Sequence, residues 1–111
     1  MLIYKIFRDD EFRVLQETGR TAGAPVDLAD GFVHFSRGDQ VRETAAKHFR
    51  GEDGLRLLAV EADTLGDALR WEASRGGDLF PHLYRELRIE DVLWHKPLVL
   101  ENGVHNFVKL L

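Results

Sequence analysis

The chain has 111 residues, a formal net charge of −4 and no cysteine. This length predicts a single domain over residues 1–111, and the lack of cysteine excludes disulfides and thiol catalysis. The acidic balance, without any basic run, argues against binding to duplex nucleic acid. The apolar start is too short for a secretory signal, and no apolar run approaches the ~20 residues that span a membrane, so we expect a cytoplasmic protein.

The first half of the chain predicts strands that alternate with helices. Residues 2–7 (LIYKIF) predict a strand, because they are rich in β-branched and aromatic types. Residues 8–19 predict a helix, residues 20–30 predict a long loop with glycine and proline, and residues 37–51 predict a second helix. Alternation along the first strand places three side chains on one face: Ile3, Lys5 and Phe7.

The second half predicts mostly strands. These cover residues 55–62, 70–73, 79–84, 92–100 and 102–111, with short helical turns at 63–69 and 88–92. Pro81 predicts an edge strand or an irregular segment for "FPHLY", because proline cannot donate to a strand ladder. The order of elements predicts an α+β fold, and no glycine-rich loop joins a strand to a helix as in Rossmann or P-loop proteins.

Two strands carry a histidine inside an apolar run. In "GFVHFS" (residues 31–36) and "LFPHLY" (residues 79–84), alternation gives one face an aromatic ring, an imidazole and a hydroxyl. Such a face suits a cleft for a planar, polar ligand. The residues concerned are Phe32, His34 and Ser36 in the first strand, and Phe80, His82 and Tyr84 in the second.

Each of these residues also has a structural interpretation. A half-buried histidine commonly bonds a backbone carbonyl, and Ser36 in "SRGD" is typical of a residue that caps the second helix. Glu72 in "RWEAS" shares a strand face with Arg70, and it can either orient an imidazole or remain a solvated carboxylate. Three arginines are the nearest cationic candidates for a phosphate: Arg70, Arg75 and Arg85.

Other chemistries have weaker support. His34, His82 and Glu72 have no close spacing of the HxH or HExxH kind, so no metal site is predicted. No GxSxG elbow exists for a serine hydrolase.

The motifs "GFVHFS" and "RWEASRGGDLFPHLYREL" resemble a family of small bacterial proteins, domain of unknown function 952, over nearly the whole chain. That family is similar to the ADP-ribosyltransferase fold group. The resemblance implies two small, mainly antiparallel sheets around a cleft that binds NAD in active members, with two helices in the N-terminal half. It also implies that His34 is the motif histidine, Glu72 the motif carboxylate and Tyr84 the aromatic hydroxyl.

Three functions remain open. In the first, an enzyme uses NAD or a related nucleotide, with His34, Glu72, His82 and Tyr84 as catalytic residues. In the second, the same cleft binds a nucleotide or small metabolite without catalysis, and in the third the chain is a protein-interaction partner. The remaining candidate residues would bind the ligand: Phe32, Ser36, Arg70 and Phe80.

Overall fold

The structure is a computed structural model that describes the backbone of residues 1–111 and every side chain except that of Arg75. Across this backbone the strands are β1 (Leu2–Arg8), β2 (Arg20–Thr21), β3 (Val33–His34), β4 (Ser36–Arg37), β5 (Leu55–Glu61), β6 (Leu69–Ala73), β7 (Leu79–Leu83), β8 (Leu87–Arg88), β9 (Val92–Glu101) and β10 (Val104–Asn106). The α-helices are α1 (Asp9–Thr18), α2 (Pro25–Asp30) and α3 (Val41–His48). Short 3-10 helices cover Ala62–Ala68, Arg75–Gly77 and Ile89–Asp91. Among the described residues, no helix is both long and apolar enough to cross a membrane.

All strand pairs of the described backbone are antiparallel, and they form three sheets. The largest has the order β10-β9-β5-β1-β4, a second has the order β3-β7-β6, and β2 pairs with β8 in the third. The predicted α+β class is therefore confirmed, together with antiparallel pairing. The predicted count of two sheets and two helices is wrong, because residues 20–30 form a short helix and contribute to a separate two-stranded ladder.

Strand β1 lies inside the five-stranded sheet and divides the hydrophobic core in two. Ile3 and Phe7 pack into one cluster, while Tyr4 and Ile6 pack into the other. This follows from the twofold alternation of a strand whose two faces are both covered. Each fully buried side chain of this size contributes about 1.5–3 kcal/mol relative to exposure. Lys5 shares the face of Ile3 and Phe7 and is only 6% exposed.

The segment predicted as a loop contains α2, and its ends explain why. Pro25 stands at the start of the helix, where its missing N–H costs nothing. The Asp27 carboxylate accepts a hydrogen bond from the Ala24 N–H at 2.7 Å, and Gly31 ends the helix in the left-handed region. Asp27, at the third position of this short helix, is the sequence feature that would have predicted α2.

Helix α3 begins at Val41, four residues later than predicted. The Gln40 side chain accepts a hydrogen bond from the Arg37 N–H at 2.9 Å and closes a turn before the helix. Ser36 therefore does not cap this helix. It lies on β4 opposite Tyr4, and its hydroxyl is 2.8 Å from the Thr44 hydroxyl.

Pro81 lies in the central strand of the three-stranded sheet, so the predicted edge position is wrong. Its carbonyl accepts a hydrogen bond from the Phe35 N–H at 3.0 Å, just beyond the two residues of β3. The ladder between β3 and β7 ends at this point, so the missing N–H of proline removes little pairing. The short partner strand makes a proline acceptable in a central strand.

Candidate functional site

The two strand histidines are direct neighbours. His34 on β3 and His82 on β7 are Cα partners in the antiparallel ladder, and their rings meet edge to face with centroids 5.3 Å apart. Opposed residues of an antiparallel pair project to the same face, which explains the contact. The structure thus brings together two imidazoles that lie far apart in the sequence.

The His34 ring is held by a carboxylate at each nitrogen. Nδ1 is 2.6 Å from Asp27 Oδ1, and Nε2 is 2.9 Å from Asp30 Oδ2. Both aspartates belong to α2, which precedes β3 by only a few residues. The short helix therefore fixes the orientation of this imidazole.

Asp27 is the buried centre of this arrangement. It is 1% exposed, and it accepts hydrogen bonds from Lys5 Nζ at 2.7 and 3.0 Å and from the His34 N–H at 2.9 Å. Burial raises the pKa of Asp27, but hydrogen bonds from His34 and the charge of Lys5 outweigh it and hold the pKa below its usual value. Burial also lowers the pKa of Lys5, although Asp27 opposes that effect.

Gly23 is required beside this carboxylate for two reasons. Its backbone φ of +108° lies in a region that residues with a side chain rarely adopt. A Cβ at this position would also overlap the Asp27 carboxyl group. The backbone at Gly23 can therefore approach Asp27 closely only because it carries no side chain.

His82 is oriented from the other side by β6. Its Nδ1 is 2.9 Å from Glu72 Oε1, and the Tyr84 hydroxyl donates to the same oxygen at 2.6 Å. The hydrogen bonds from Tyr84 and His82 lower the pKa of Glu72, so the carboxylate stays ionised in mildly acidic solution. The same contact with Glu72 raises the pKa of Tyr84.

The second nitrogen of His82 has no hydrogen-bond partner within the part of the chain that the structure describes. His82 is 4% exposed, and its Nε2 is buried without a hydrogen-bond partner among the described residues. Buried polar atoms are nearly always satisfied, so a lone one in a native site needs an explanation. When the ring is neutral and Nδ1–H is donated to Glu72, Nε2 carries the lone pair, as in a histidine positioned to act as a base.

The Phe32 ring contacts both imidazoles. Phe32 stacks on His82 with centroids 4.1 Å apart and also contacts His34 at 4.5 Å and Tyr84 at 5.1 Å. The Arg70 guanidinium lies 4.8 Å from the centre of the Tyr84 ring. Arg70 makes no ion pair within the part of the chain described here, whereas Arg85 is engaged by Asp91 at 2.8 Å.

A cavity of about 730 Å³ adjoins this group. Its size is that of a small-molecule site. Four of the predicted site residues line it: His34, Ser36, Phe80 and His82. The other four lie outside its lining, in a cluster that contacts His82 or its neighbours: Phe32, Arg70, Glu72 and Tyr84.

His82 therefore connects two regions, the cavity and an outer cluster. We define the outer cluster as Phe32, Arg70, Glu72 and Tyr84. The third arginine of the sequence analysis, Arg75, has a side chain that lies outside the described residues.

The family model for protein of unknown function (DUF952) matches residues 6–95. The chain belongs to this family. No curated protein matches the chain. Solved structures do match it: the crystal structure of protein CC0527 from Caulobacter crescentus is 51% identical with a TM-score of 0.95, over 99% of this chain and 97% of that one. The solution NMR structure of CC0527 is 52% identical with a TM-score of 0.88, over 99% of this chain and 96% of that one.

Three site residues of this DUF952 protein were missed by sequence reasoning: Lys5, Asp27 and Asp30. A lysine on the apolar face of a buried strand was the available signal, because such a lysine needs a buried acid as partner. The sequence pattern could not say which acid, since Lys5 and Asp27 belong to different elements.

The carboxylates of this site do not form a metal centre in the described side chains. No group of three or more His, Asp or Glu residues among them has a geometry that could hold a metal ion. The acids serve as hydrogen-bond acceptors for Lys5, His34, His82 and Tyr84 instead.

Proposed function

We propose that this protein is an enzyme that uses NAD or a related nucleotide, bound in the cavity at His34 and His82. The observation that carries the proposal is the buried Nε2 of His82, which lacks a hydrogen-bond partner among the described side chains while Glu72 holds the opposite nitrogen. A base with an orienting carboxylate beside a cavity is a common catalytic arrangement.

Glu72 would stabilise positive charge during the reaction. Cleavage of the nicotinamide–ribose bond creates an oxocarbenium-like centre, and a carboxylate fixed nearby lowers that barrier. The hydrogen bonds from Tyr84 and His82 keep the pKa of Glu72 low, which supports this role. Because Glu72 lies outside the cavity lining, the ribose would have to reach past His82 to the outer cluster.

Rings and hydroxyls are available for binding. Phe80 and His34 line the cavity, and Tyr84 and Phe32 lie in the outer cluster, so a nicotinamide or adenine ring has faces on which to stack. Ser36 and His34 would donate hydrogen bonds to ribose or amide oxygens. The resemblance of the sequence to the ADP-ribosyltransferase fold group also favours an NAD-like ligand.

The test combines calorimetry with a nicotinamide-release assay on the full chain. We expect heat of binding with NAD or ADP-ribose, release of nicotinamide, and loss of release in His34→Ala and Glu72→Gln. Glu17→Gln is the matched control, because Glu17 is exposed and lies outside the cavity lining. The proposal fails if millimolar NAD and ADP-ribose give no heat.

A non-catalytic nucleotide-binding module is the second candidate. Oε1 of Glu72 already accepts two hydrogen bonds, which leaves it less available for a reacting ribose. Strand β6 also lacks the Glu-x-Glu pair that is usual in many protein-modifying transferases. Both observations favour binding without catalysis. Binding of ADP-ribose without release of nicotinamide from NAD supports this candidate and excludes the first.

A further inference from the structure

The two carboxylates at His34 differ in how easily they can be replaced. Asp27 is buried and also bonds Lys5 and two backbone N–H groups. Asp30 is the last residue of α2, its side chain is 49% exposed, and it has no other hydrogen bond or ion pair within the described side chains. An incoming ligand would therefore displace Asp30 and leave Asp27 in place.

The two imidazoles also differ in what they offer a ligand. Carboxylate oxygens only accept, so His34 donates to Asp27 through Nδ1. Its Nε2 lies at an ion-pair distance of 2.9 Å from Asp30 and, when it carries a proton, can offer an N–H to an anion. His82 donates through Nδ1 to Glu72 and leaves Nε2 as an acceptor. A donor to an anion thus lies beside an acceptor for a hydroxyl proton, on rings with centroids 5.3 Å apart.

We propose that Asp30 stands in for an anionic ligand oxygen at His34 Nε2, and that His82 Nε2 accepts the proton of a neighbouring hydroxyl. The ligand class is a sugar phosphate with a free hydroxyl, such as the ribose phosphate of a nucleotide. This inference rests on the proposed function, because His34 and His82 line the cavity proposed there. Asp30 lies outside that lining and marks the side of His34 at which the phosphate would bind.

The charges around the two imidazole rings are compatible with the replacement of Asp30 by a ligand anion. Asp27 and Asp30 face His34 from α2, and Lys5 reaches Asp27 from β1. Glu72, which accepts a hydrogen bond from Tyr84, faces His82. Arg70 on β6 is the Cα partner of His82 in the strand ladder. Replacing one carboxylate by one phosphate oxygen keeps a negative partner at His34, so no buried charge is left unpaired.

The experiment uses three probes that separate the two groups of the ligand. AMP carries an anion and hydroxyls, adenosine carries hydroxyls alone, and 2′,3′-dideoxy-AMP carries the anion alone. We expect Asp30→Ala to bind AMP and dideoxy-AMP about three- to tenfold more tightly than the natural protein, with adenosine unchanged. Glu17→Ala, which removes an equal charge from exposed α1, is the matched control.

A second variant tests the hydroxyl contact. In His82→Asn, the amide nitrogen can replace Nδ1 as a donor to Glu72, while the acceptor at Nε2 is lost. We expect the affinity for AMP to fall about fivefold or more and the affinity for dideoxy-AMP to stay unchanged. If this variant does not fold, ¹⁵N spectra of the natural protein replace it, and Nε2 of His82 should respond to AMP and not to dideoxy-AMP.

Three results would overturn the inference. They are equal affinities for Asp30→Ala and Glu17→Ala, equal responses of His82 to AMP and dideoxy-AMP, and no binding of any probe. The outcome is separable from the proposed function. Nicotinamide release without an Asp30 effect refutes the inference alone, whereas the expected AMP pattern without binding of NAD or ADP-ribose refutes the proposed function alone.

Discussion

Lys5 Nζ lies 2.7 Å from Asp27 Oδ2, and the two side chains are 7% and 0% exposed. The pair joins β1, an inner strand of the largest sheet, to the helix that holds His34. Two opposite charges can remain in the interior because each satisfies the other and backbone N–H groups supply further hydrogen bonds to the carboxylate. This ion pair connects the stability of the core to the geometry of the site.

Removal of the lysine should destabilise the protein strongly. Lys5→Met keeps an apolar stem but leaves the Asp27 carboxylate buried without its cationic partner, so the free energy of unfolding should fall by about 3–5 kcal/mol. Urea unfolding measures the change. Arg13→Met breaks the exposed pair with Asp9 and should have little effect. Equal losses in the two variants would show that burial of the Lys5 pair does not matter.

The low pKa of Asp27 predicts a loss of stability in acid. A carboxyl group whose pKa is lower in the folded state stabilises the protein above its unfolded value, and this contribution disappears as the pH falls through the folded value. Stability should therefore decline as the pH falls through about 4, where an unfolded aspartate is half protonated. Urea midpoints across pH 2–7 test the decline, and Asp27→Asn should flatten it. An unchanged slope in that variant would assign the acid loss to other carboxyls.

Gly23 offers a test of the close approach to Asp27. Gly23→Ala must strain a positive φ and also push the Asp27 carboxyl group aside. Gly31→Ala has a positive φ of +83° but meets nothing within 4 Å, so it carries the backbone strain alone. We expect Gly31→Ala to cost about 1–2 kcal/mol and Gly23→Ala to cost clearly more, with shifted His34 resonances only in the latter. Indistinguishable variants would contradict the predicted overlap.

Tyr84 should control the ionisation of Glu72. Its hydroxyl donates to the ionised carboxylate at 2.6 Å, so Tyr84→Phe removes a contact that favours the charged form and the pKa of Glu72 should rise. Titration of the carboxyl carbon by NMR follows this group, and Asp91, which is held by Arg85, serves as the internal control. A midpoint that does not move would mean that His82 and the charge of Arg70, not Tyr84, lower the pKa of Glu72.

Local sequence patterns predicted most of the framework. Alternation in residues 2–7 predicted β1, with Lys5 on the face of Ile3 and Phe7, and apolar runs predicted β5 and β9. These elements depend on contacts that repeat every second residue, which one stretch of sequence displays directly. The same alternation predicted an aromatic ring, an imidazole and a hydroxyl on one face of residues 79–84, of which Leu79–Leu83 form β7.

Pairing between distant elements needed the tertiary structure. Pro81 predicted an edge strand, yet β7 is the central strand of its sheet. The proline is tolerated there because β3 is only two residues long and ends beside it. Ser36 was placed on the face of His34, but the chain leaves one sheet after β3 and joins another at β4, where the alternation starts again.

The sequence alone identified His34 and His82 as candidate site residues, because an imidazole within an apolar run differs from its neighbours. It did not identify Lys5, Asp27 or Asp30. The tertiary structure decided which of these residues meet. His34 and His82 are neighbours because β3 and β7 pair in one register, and Asp27 is buried because α2 packs over Lys5. Such contacts depend on long-range strand pairing and on charge burial, and both are set by the packing of the whole chain.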